Sequence, residues 1–328
     1  MSDVERRASP PNPAEEPDMT LTDPETTTVT AERFRDAVDS DGVLERLLSS
    51  SATLSYDPEK EVDWDAPLEP LHDGVNPEWC TLYGTDLWER MGPEQRALLT
   101  RHEAASVASI GIWFEMLLQQ MLLEDIYAKD YASPEFQFAL TEIADECRHS
   151  IMFARGSQLI AGRSYKPAKG LHRAARLLKW IAKGEVAYTS ILVAEEVLDV
   201  MQRDWMRGES VNPAVKTICK IHVVEESRHM KFARHETLEA MKGAGRIRRQ
   251  VSAAMIAMVG YFIVKSLVQP DVYAEAGLDV KEARKAAASN SHHQSLMRLS
   301  CVHLMDFLSE AGLLTSFAKR MYRRVHMI

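Results

Sequence analysis

Residues 221–229 read Ile-His-Val-Val-Glu-Glu-Ser-Arg-His, and residues 144–149 read Ala-Asp-Glu-Cys-Arg-His. Both stretches end in an acidic residue followed by Glu-x-Arg-His, and the second copy lies 80 residues after the first. The same offset separates Glu195 from Glu115, and each of these glutamates precedes its Glu-x-x-His motif by 31 residues. Such a repeated spacing indicates a duplicated helical hairpin.

The spacing within the motif suits metal binding. Residues i and i+3 share one face of an α-helix, so each Glu-x-x-His offers a carboxylate and an imidazole to one point. Two such helices, with an inward glutamate from each of two more, supply the ligands of ferritin-like di-iron and di-manganese bundles. His222 shares the face of Glu226 and adds a third histidine. The predicted metal ligands are Glu115, Glu146, His149, Glu195, His222, Glu226 and His229.

A single Glu-x-x-His motif is weak support for a metal site, because one copy on a helix is more often a solvated ion pair. Glu69-Pro70-Leu71-His72 also fits the pattern, in a proline-rich stretch. The duplication and the apolar neighbours, such as Val223 and Met152, favour metal binding, since buried charges must be paired or bind metal. The sequence therefore predicts an all-α fold, a ferritin-like four-helix di-iron bundle with additional C-terminal helices.

Composition narrows the range of partners and locations. The chain has 328 residues and a net charge of −9, which argues against a nucleic-acid partner. Four cysteines form no Cys-x-x-Cys pair, so a reduced, cytoplasmic setting is expected, and Cys147 is predicted to be a small core residue. The apolar run 251–268 is predicted to be a buried bundle helix rather than a membrane span, so no membrane partner is expected.

The chain divides into an extension and one large domain. Residues 1–30 are too polar to order and are predicted to be disordered, followed by a short amphipathic helix over 31–50. Residues 56–76 are predicted to be extended, with Pro58 excluding helix and Trp64 anchoring the segment. The domain 31–328 contains a ligand-bearing bundle over about 93–242 and C-terminal helices over 246–326. The four ligand helices are predicted over 93–129, 133–160, 170–207 and 212–241, and the third of them is broken at Gly184. The later helices are predicted over 246–268, 280–288, 292–311 and 313–325. A loop is predicted at 269–271.

Two local choices concern residues beside the ligands. Glu195 shares an apolar face, whereas Glu196 shares a more polar one, so periodicity selects Glu195 as the ligand. Asp145 and Glu225 each precede a ligand glutamate. They either orient a histidine of the opposite motif or form ion pairs with the neighbouring Arg148 and Arg228.

Mixed carboxylate and imidazole ligands suit iron or manganese, and a pair of reduced irons can activate O2. The ligand series, its third histidine and the segment Asp63-Trp64-Asp65-Ala66-Pro67 resemble the p-aminobenzoate N-oxygenase (AurF-type) family of di-iron oxygenases, over about residues 31–328. The resemblance implies a homodimer that oxidises arylamines through hydroxylamine and nitroso stages to nitro compounds. It implies no catalytic residue beyond the metal ligands.

The cofactors expected are two iron ions, with O2 as co-substrate. No flavin or nicotinamide motif is present, so a separate reductase or ferredoxin is expected to supply electrons. One alternative is a di-iron C–H hydroxylase or desaturase acting on a carrier-bound or lipid-like substrate. A carrier-bound substrate would need a basic docking patch, for which residues 246–249 and the cations at 319–320 and 323–324 are the candidates. An iron-storage bundle is a third class, although cage-forming chains are usually shorter and lack the C-terminal helices.

Overall fold

The computed structural model describes residues 42–328, with only the backbone of residues 174 and 177–181. The predicted disordered extension 1–30 and the first part of the predicted helix 31–50 lie outside the described residues. Before the bundle lie three short α-helices and one 3-10 turn: α1 (Val43–Thr53), α2 (Pro58–Glu61), the turn Pro77–Trp79 and α3 (Asp86–Glu89). The bundle and the segment joining its halves are α4 (Pro93–Ile126), α5 (Pro134–Ala161), α6 (Lys169–Ile181), α7 (Glu185–Trp205) and α8 (Pro213–Met241).

Six further helices follow the bundle: α9 (Arg246–Ser266), α10 (Asp271–Glu275), α11 (Val280–Ser289), α12 (Ser291–Ser300), α13 (Val302–Glu310) and α14 (Ser316–Arg323). Residues 42–328 contain no β-strand, only an isolated bridge between Asp73 and Val211. The described fold is therefore all-α, as the sequence predicted.

The four long helices α4, α5, α7 and α8 form the ferritin-like bundle. α4 packs along α5, α7 packs along α8, and the two pairs join through α5 with α8 and α4 with α7. This arrangement places α5 and α8, which carry the Glu-x-x-His motifs, side by side. The other two helices, α4 and α7, carry one predicted glutamate ligand each and complete the four-helix bundle. The C-terminal helices α9, α12 and α13 pack against α7. The predicted duplicated hairpin is thus the architecture observed.

Each ligand helix begins where local chemistry favours a start. Proline occupies the first turn of α4, α5 and α8, where its missing N–H loses no helical hydrogen bond. Ser133 caps α5 by accepting a hydrogen bond from Phe136 N–H, and Asn212 caps α8 by accepting from Ala214 N–H. The predicted starts of these three helices are confirmed to within about one residue.

The break predicted at Gly184 is also confirmed. Gly184 has φ 52° and ψ −128°, a backbone conformation that residues with a Cβ rarely adopt. It separates α6 from α7, so the stretch 170–207 forms two helices. The break lets α7 lie along the bundle with Glu195 on its inner face.

The segment before the bundle differs from prediction at Pro58. Pro58 begins the short helix α2, and Asp57 caps it by accepting a hydrogen bond from Glu59 N–H. The prediction that Pro58 excludes helix is wrong, because proline is well tolerated at the first helical position. Trp64 does anchor the segment: its indole N–H donates to the Pro58 carbonyl, and the Arg155 guanidinium lies 4.1 Å from its ring centroid.

Four further predictions need correction. The stretch 292–311 is two helices divided at Cys301, and α10 begins within the predicted loop, at Asp271. Cys147 is exposed rather than a core residue, because the position after Glu146 turns away from the ligand face. The last helix is shorter than predicted, covering Ser316–Arg323.

Two helices are long and apolar enough to cross a membrane by length and composition, Pro93–Ile126 and the stretch Arg246–Glu275, and half of the apolar window of each is buried. The first carries buried Glu103 and Glu115. In the second, one face of α9 packs against α7 and α14, whereas Met258 and Phe262 are exposed. The prediction that 251–268 is buried therefore holds for one face.

Candidate metal centre

The seven predicted ligands meet in the middle of the bundle. One comes from α4, two from α5, one from α7 and three from α8, and each is at most 3% exposed to solvent. Four overlapping groups of three donors, each group within 4.8 Å, together contain all seven. A position between the helices is therefore surrounded by four carboxylates and three imidazoles.

Two carboxylates lie between two histidines. His149 Nδ1 is 3.1 Å from Glu226 Oε1 and 3.5 Å from Glu146 Oε2. His229 Nδ1 is 3.1 Å from the same Glu226 oxygen and 3.4 Å from Glu146 Oε1. Glu146 and Glu226 thus each lie within 3.5 Å of both histidines.

The other three predicted ligands complete the cluster. His222 Nε2 lies 3.8 Å from Glu195 Oε2 and 3.7 Å from Glu226 Oε1. Its other ring nitrogen, Nδ1, lies 2.7 Å from Gln202 Oε1, which fixes the ring orientation. Glu115 offers a donor atom within 4.8 Å of donors on His149 and His222.

The donor atoms fit a pair of cations. Buried oxygens of three of the four carboxylates have no hydrogen-bond partner among the described residues: both oxygens of Glu146, and one each of Glu195 and Glu226. Burial, followed by repulsion from neighbouring carboxylates, raises the pKa of Glu115 and of Glu195 well above the ordinary range. Unpaired charges at this density are costly without a counter-ion, and two divalent metals would neutralise four carboxylates.

The three histidines differ in their electrostatics. Burial alone would lower the pKa of His149 and His229, but hydrogen bonds and attraction to the carboxylates outweigh it and raise both pKa values well above normal. Burial dominates at His222 and lowers its pKa to about 4. His222 is therefore a neutral imidazole at pH 7, which is the form that binds metal.

The residues preceding the ligand glutamates bridge the two motifs. His149 Nε2 lies 2.7 Å from Glu225 Oε2, and His229 Nε2 lies 3.2 Å from Asp145 Oδ2. Each histidine thus leaves its Nδ1 facing the cluster. Arg148 also pairs with Asp145, so the two alternatives left open by the sequence both occur.

Glu195 and Glu196 have different surroundings. Glu195 Oε2 faces the cluster, whereas Glu196 accepts hydrogen bonds from the guanidinium of Arg234 on α8. Glu196 is therefore already paired, and Glu195 has an unpartnered oxygen. The identity of the ligands stays a prediction, and this geometry supports Glu195.

Comparison with protein-family models matches residues 37–312 to the family described as p-aminobenzoate N-oxygenase AurF. The chain belongs to the AurF family. Uncharacterized proteins of Mycobacterium bovis (Mb0909) and Mycobacterium tuberculosis (Rv0885) are each 29% identical to it over 212 residues, which is 60% of this chain and 59% of each relative. The matched part thus spans about three-fifths of the length of these curated relatives. The description of the family names an N-oxygenase.

Two further residues of this AurF-family chain lie near the cluster and were not predicted from the sequence. Glu142 lies one turn before Glu146, on the same face of α5, and Gln202 lies two turns after Glu195 on α7. Helical periodicity could have identified both. Glu69 and His72 lie away from the cluster, where Glu69 N–H donates to His72 Nδ1 near the surface.

An apolar slot adjoins the cluster in this AurF-family chain. It lies inside the bundle, one turn after His149 on α5 and one turn before His222 on α8. Its volume is about 40 Å³. That is room for about one water molecule. It is lined mainly by small and apolar residues, among them Gly111, Phe153, Leu198, Ile218 and Cys219. An aromatic ring reaches the cluster by this route only when the side chains of the slot move apart.

A larger cavity of about 640 Å³ lies between the bundle and the C-terminal helices. Val107 and Trp205 line both the cavity and the slot, so the two spaces adjoin. The cavity is lined by three cations, Lys265, Arg284 and Arg324, and by one acid, Glu103. The C-terminal helices thus form one wall of this cavity.

Proposed function

We propose that the chain is a non-haem di-iron oxygenase that uses O2 to oxidise the nitrogen of an aromatic amine, towards hydroxylamine and nitro products. The observation that carries the proposal is His222, a third buried imidazole 3.7 Å from Glu226 Oε1 within the four-carboxylate cluster. The third histidine is the feature that distinguishes the AurF-type ligand series from the commoner set with two Glu-x-x-His motifs.

Two iron ions would be held by Glu115, Glu146, His149, Glu195, His222, Glu226 and His229. When bound, reduced iron supplies the electrons with which O2 is activated, and an external donor such as a reductase or ferredoxin would restore them. The chain's own contribution is positional. Glu225, Asp145 and Gln202 fix the imidazole rings, and the apolar slot keeps bulk water from the cluster.

The cavity suggests which amines would bind. Its three cations exceed its single acid, and burial raises the pKa of that acid, Glu103, to about 7. The net positive lining favours a substrate with an anionic group, and the apolar slot favours a flat ring. An amine such as p-aminobenzoate, the substrate in the family's description, has both features.

The alternative is a C–H hydroxylase or desaturase acting on a carrier-bound substrate. Such an enzyme would need a free basic patch to dock the acidic carrier. Within 246–249, Arg248 pairs with Glu185, and Arg249 donates to the carbonyls of Met241, Ala244 and Ala311. Two of the three cations of this candidate patch thus stabilise the fold. The cations of the second candidate patch, Lys319, Arg320, Arg323 and Arg324, are exposed, so the alternative keeps one possible docking surface.

The test begins with metal loading. Metal-free protein is loaded anaerobically with ferrous iron and should bind about two equivalents per chain, as a two-metal site requires. The reduced protein is then exposed to ¹⁸O₂ with a panel of arylamines, with and without a carboxylate, and products are identified by mass spectrometry. The expected result is labelled hydroxylamine or nitro product.

A single tightly bound zinc, or no iron, would contradict the metal centre. Two bound irons with oxidation only at carbon would instead support the alternative. The homodimer and the cytoplasmic location remain proposals, and light scattering of the purified chain tests the first.

A further inference from the structure

Glu142 on α5 is a buried acid outside the seven-ligand set. It is 0% exposed, and neither of its carboxylate oxygens has a hydrogen-bond partner among the described residues. Glu146, the predicted ligand one turn further along α5, shows the same two properties. A buried carboxylate with two unpartnered oxygens is costly to fold, so its surroundings need a compensating group.

The largest electrostatic influences on Glu142 come from groups other than lysine and arginine. The charged groups that act on it are His229, Glu146, Glu226 and Asp145, three of which are acids. On the side away from the cluster the neighbouring core is aromatic, with Phe138 one turn earlier on α5 and its ring 6.4 Å from the His229 ring. Among these four groups only His229 attracts a carboxylate, and it is shared with Glu146, Glu226 and Asp145.

The positions of the neighbouring donor atoms indicate a metal ion as the compensating group. Donor atoms of Glu142, Glu146 and His229 all lie within 4.8 Å of one another, the same separation that groups the predicted ligands. We propose that Glu142 is an eighth metal ligand, binding the same ion as His229. This inference rests on the proposed di-metal centre and extends its ligand set.

An eighth ligand would change the charge of the centre. Five carboxylates exceed the charge of two divalent ions by one, and fall one short of two trivalent ions. Glu142 would therefore stabilise the oxidised pair relative to the reduced pair. Such a centre would be harder to reduce than one with four carboxylates.

An eighth ligand would also direct small molecules to one side. The slot lies one turn after His149, where Phe153 lines it, whereas Glu142 lies two turns before His149 on α5. Glu142 would fill coordination positions at the far end of the cluster. The positions open to O2 and substrate would then face the slot.

The test measures metal binding without substrate. Metal-free wild type, Glu142→Gln and Glu142→Leu are titrated anaerobically with Co²⁺, and affinities are measured by calorimetry and chelator competition. Glutamine keeps the shape of the side chain, and leucine keeps its approximate volume without polar atoms. We expect both variants to bind one of the two equivalents at least tenfold more weakly than wild type.

A second readout separates ligation from a purely structural role. Replacing this buried acid, whose oxygens have no hydrogen-bond partner among the described residues, by leucine should raise the unfolding temperature of the metal-free protein. In both variants the rise produced by added Co²⁺ should be smaller than in wild type. Glu236→Gln, at a partly buried glutamate that pairs with Lys129 outside the cluster, is the control and should bind both equivalents with wild-type affinity.

Wild-type affinity for both equivalents in either folded variant would overturn the inference. The leucine variant keeps the test decisive if the glutamine variant does not fold, because a partnerless site accepts an apolar side chain. Failure of the wild type itself to bind two equivalents would point to the di-metal centre, and not to Glu142, as the faulty assumption.

Discussion

The imidazole of His149 on α5 lies 2.7 Å from the carboxylate of Glu225 on α8. The reciprocal pair, His229 on α8 and Asp145 on α5, is 3.2 Å apart. The acid that precedes each ligand glutamate therefore orients the histidine of the other helix. Both helices must be docked before either imidazole is held, so folding of the bundle and assembly of the proposed metal site are coupled.

Glu225→Gln is expected to weaken metal binding. The glutamine has a similar shape but loses the negative charge facing His149, and removal of such a partner typically costs roughly 10–100-fold in metal affinity. Anaerobic Fe²⁺ or Co²⁺ titration measures the effect. Glu236→Gln, on the same helix but paired with Lys129, is the control and should leave affinity unchanged. Equal affinities in the two variants would mean that Glu225 does not position the ligand.

Glu195→Ala should lose at least one metal ion, while Glu196→Ala should bind two. Glu195 faces the cluster, whereas Glu196 pairs with Arg234. Glu196→Ala should be less stable by roughly 1–3 kcal/mol, because it leaves Arg234 without its partner. Metal analysis and thermal unfolding of both variants test this pair of outcomes. The reverse pattern of metal loss would assign the ligand to Glu196.

His222→Ala should keep most of its iron, since six ligands remain, but lose most of its amine oxidation. The imidazole is neutral at pH 7 and adds a donor without changing the charge of the centre. The iron content should therefore stay near two per chain, while the product yield of a single turnover should fall at least tenfold. If amine oxidation continues at the parental rate, His222 merely hydrogen-bonds to a ligand carboxylate.

Gly111→Ala should narrow the slot without harming the fold. The added Cβ would lie 3.7 Å from the Phe153 ring, an ordinary contact, and alanine favours the helix by up to ~1 kcal/mol. Because a substrate ring must widen the slot, the extra methyl should lower kcat/KM by roughly tenfold, as overpacking costs about 1–3 kcal/mol. Gly170→Ala on α6, with no heavy atom within 4 Å, is the control. Unchanged kcat/KM in Gly111→Ala would place the substrate route elsewhere.

Glu103 should make stability fall as pH rises. Burial raises its pKa to about 7 from an ordinary 4.5, so the unfolded chain releases the proton first. Its stabilising contribution is complete below pH 4.5 and is lost as pH rises through 7. Glu103→Gln keeps an oxygen that can accept from Thr81 and does not ionise. The stability of the variant relative to wild type should increase by up to ~3 kcal/mol between pH 5 and pH 8, measured by denaturant unfolding. A difference in stability between variant and wild type that stays constant with pH would contradict this prediction.

The sequence by itself determined the helical frame and the composition of the cluster. The spacings Glu-x-x-His and His-x-x-x-Glu are local, and on an α-helix a local spacing fixes which side chains share a face. The same holds for Pro93, Pro134 and Gly184, because starts and breaks depend on the backbone of a few neighbouring residues. Where a local rule was applied too strictly, as at Pro58, the prediction was wrong.

Only the tertiary structure decided how the faces meet. Glu225 reaches His149, Gln202 holds His222, and Glu142 has no hydrogen-bond partner among the described residues. All three depend on the rotation and crossing of helices far apart in sequence. The cavity beside the slot likewise forms between the bundle and helices that follow it in the chain. Such contacts depend on packing over the whole domain, and periodicity within one helix does not specify them.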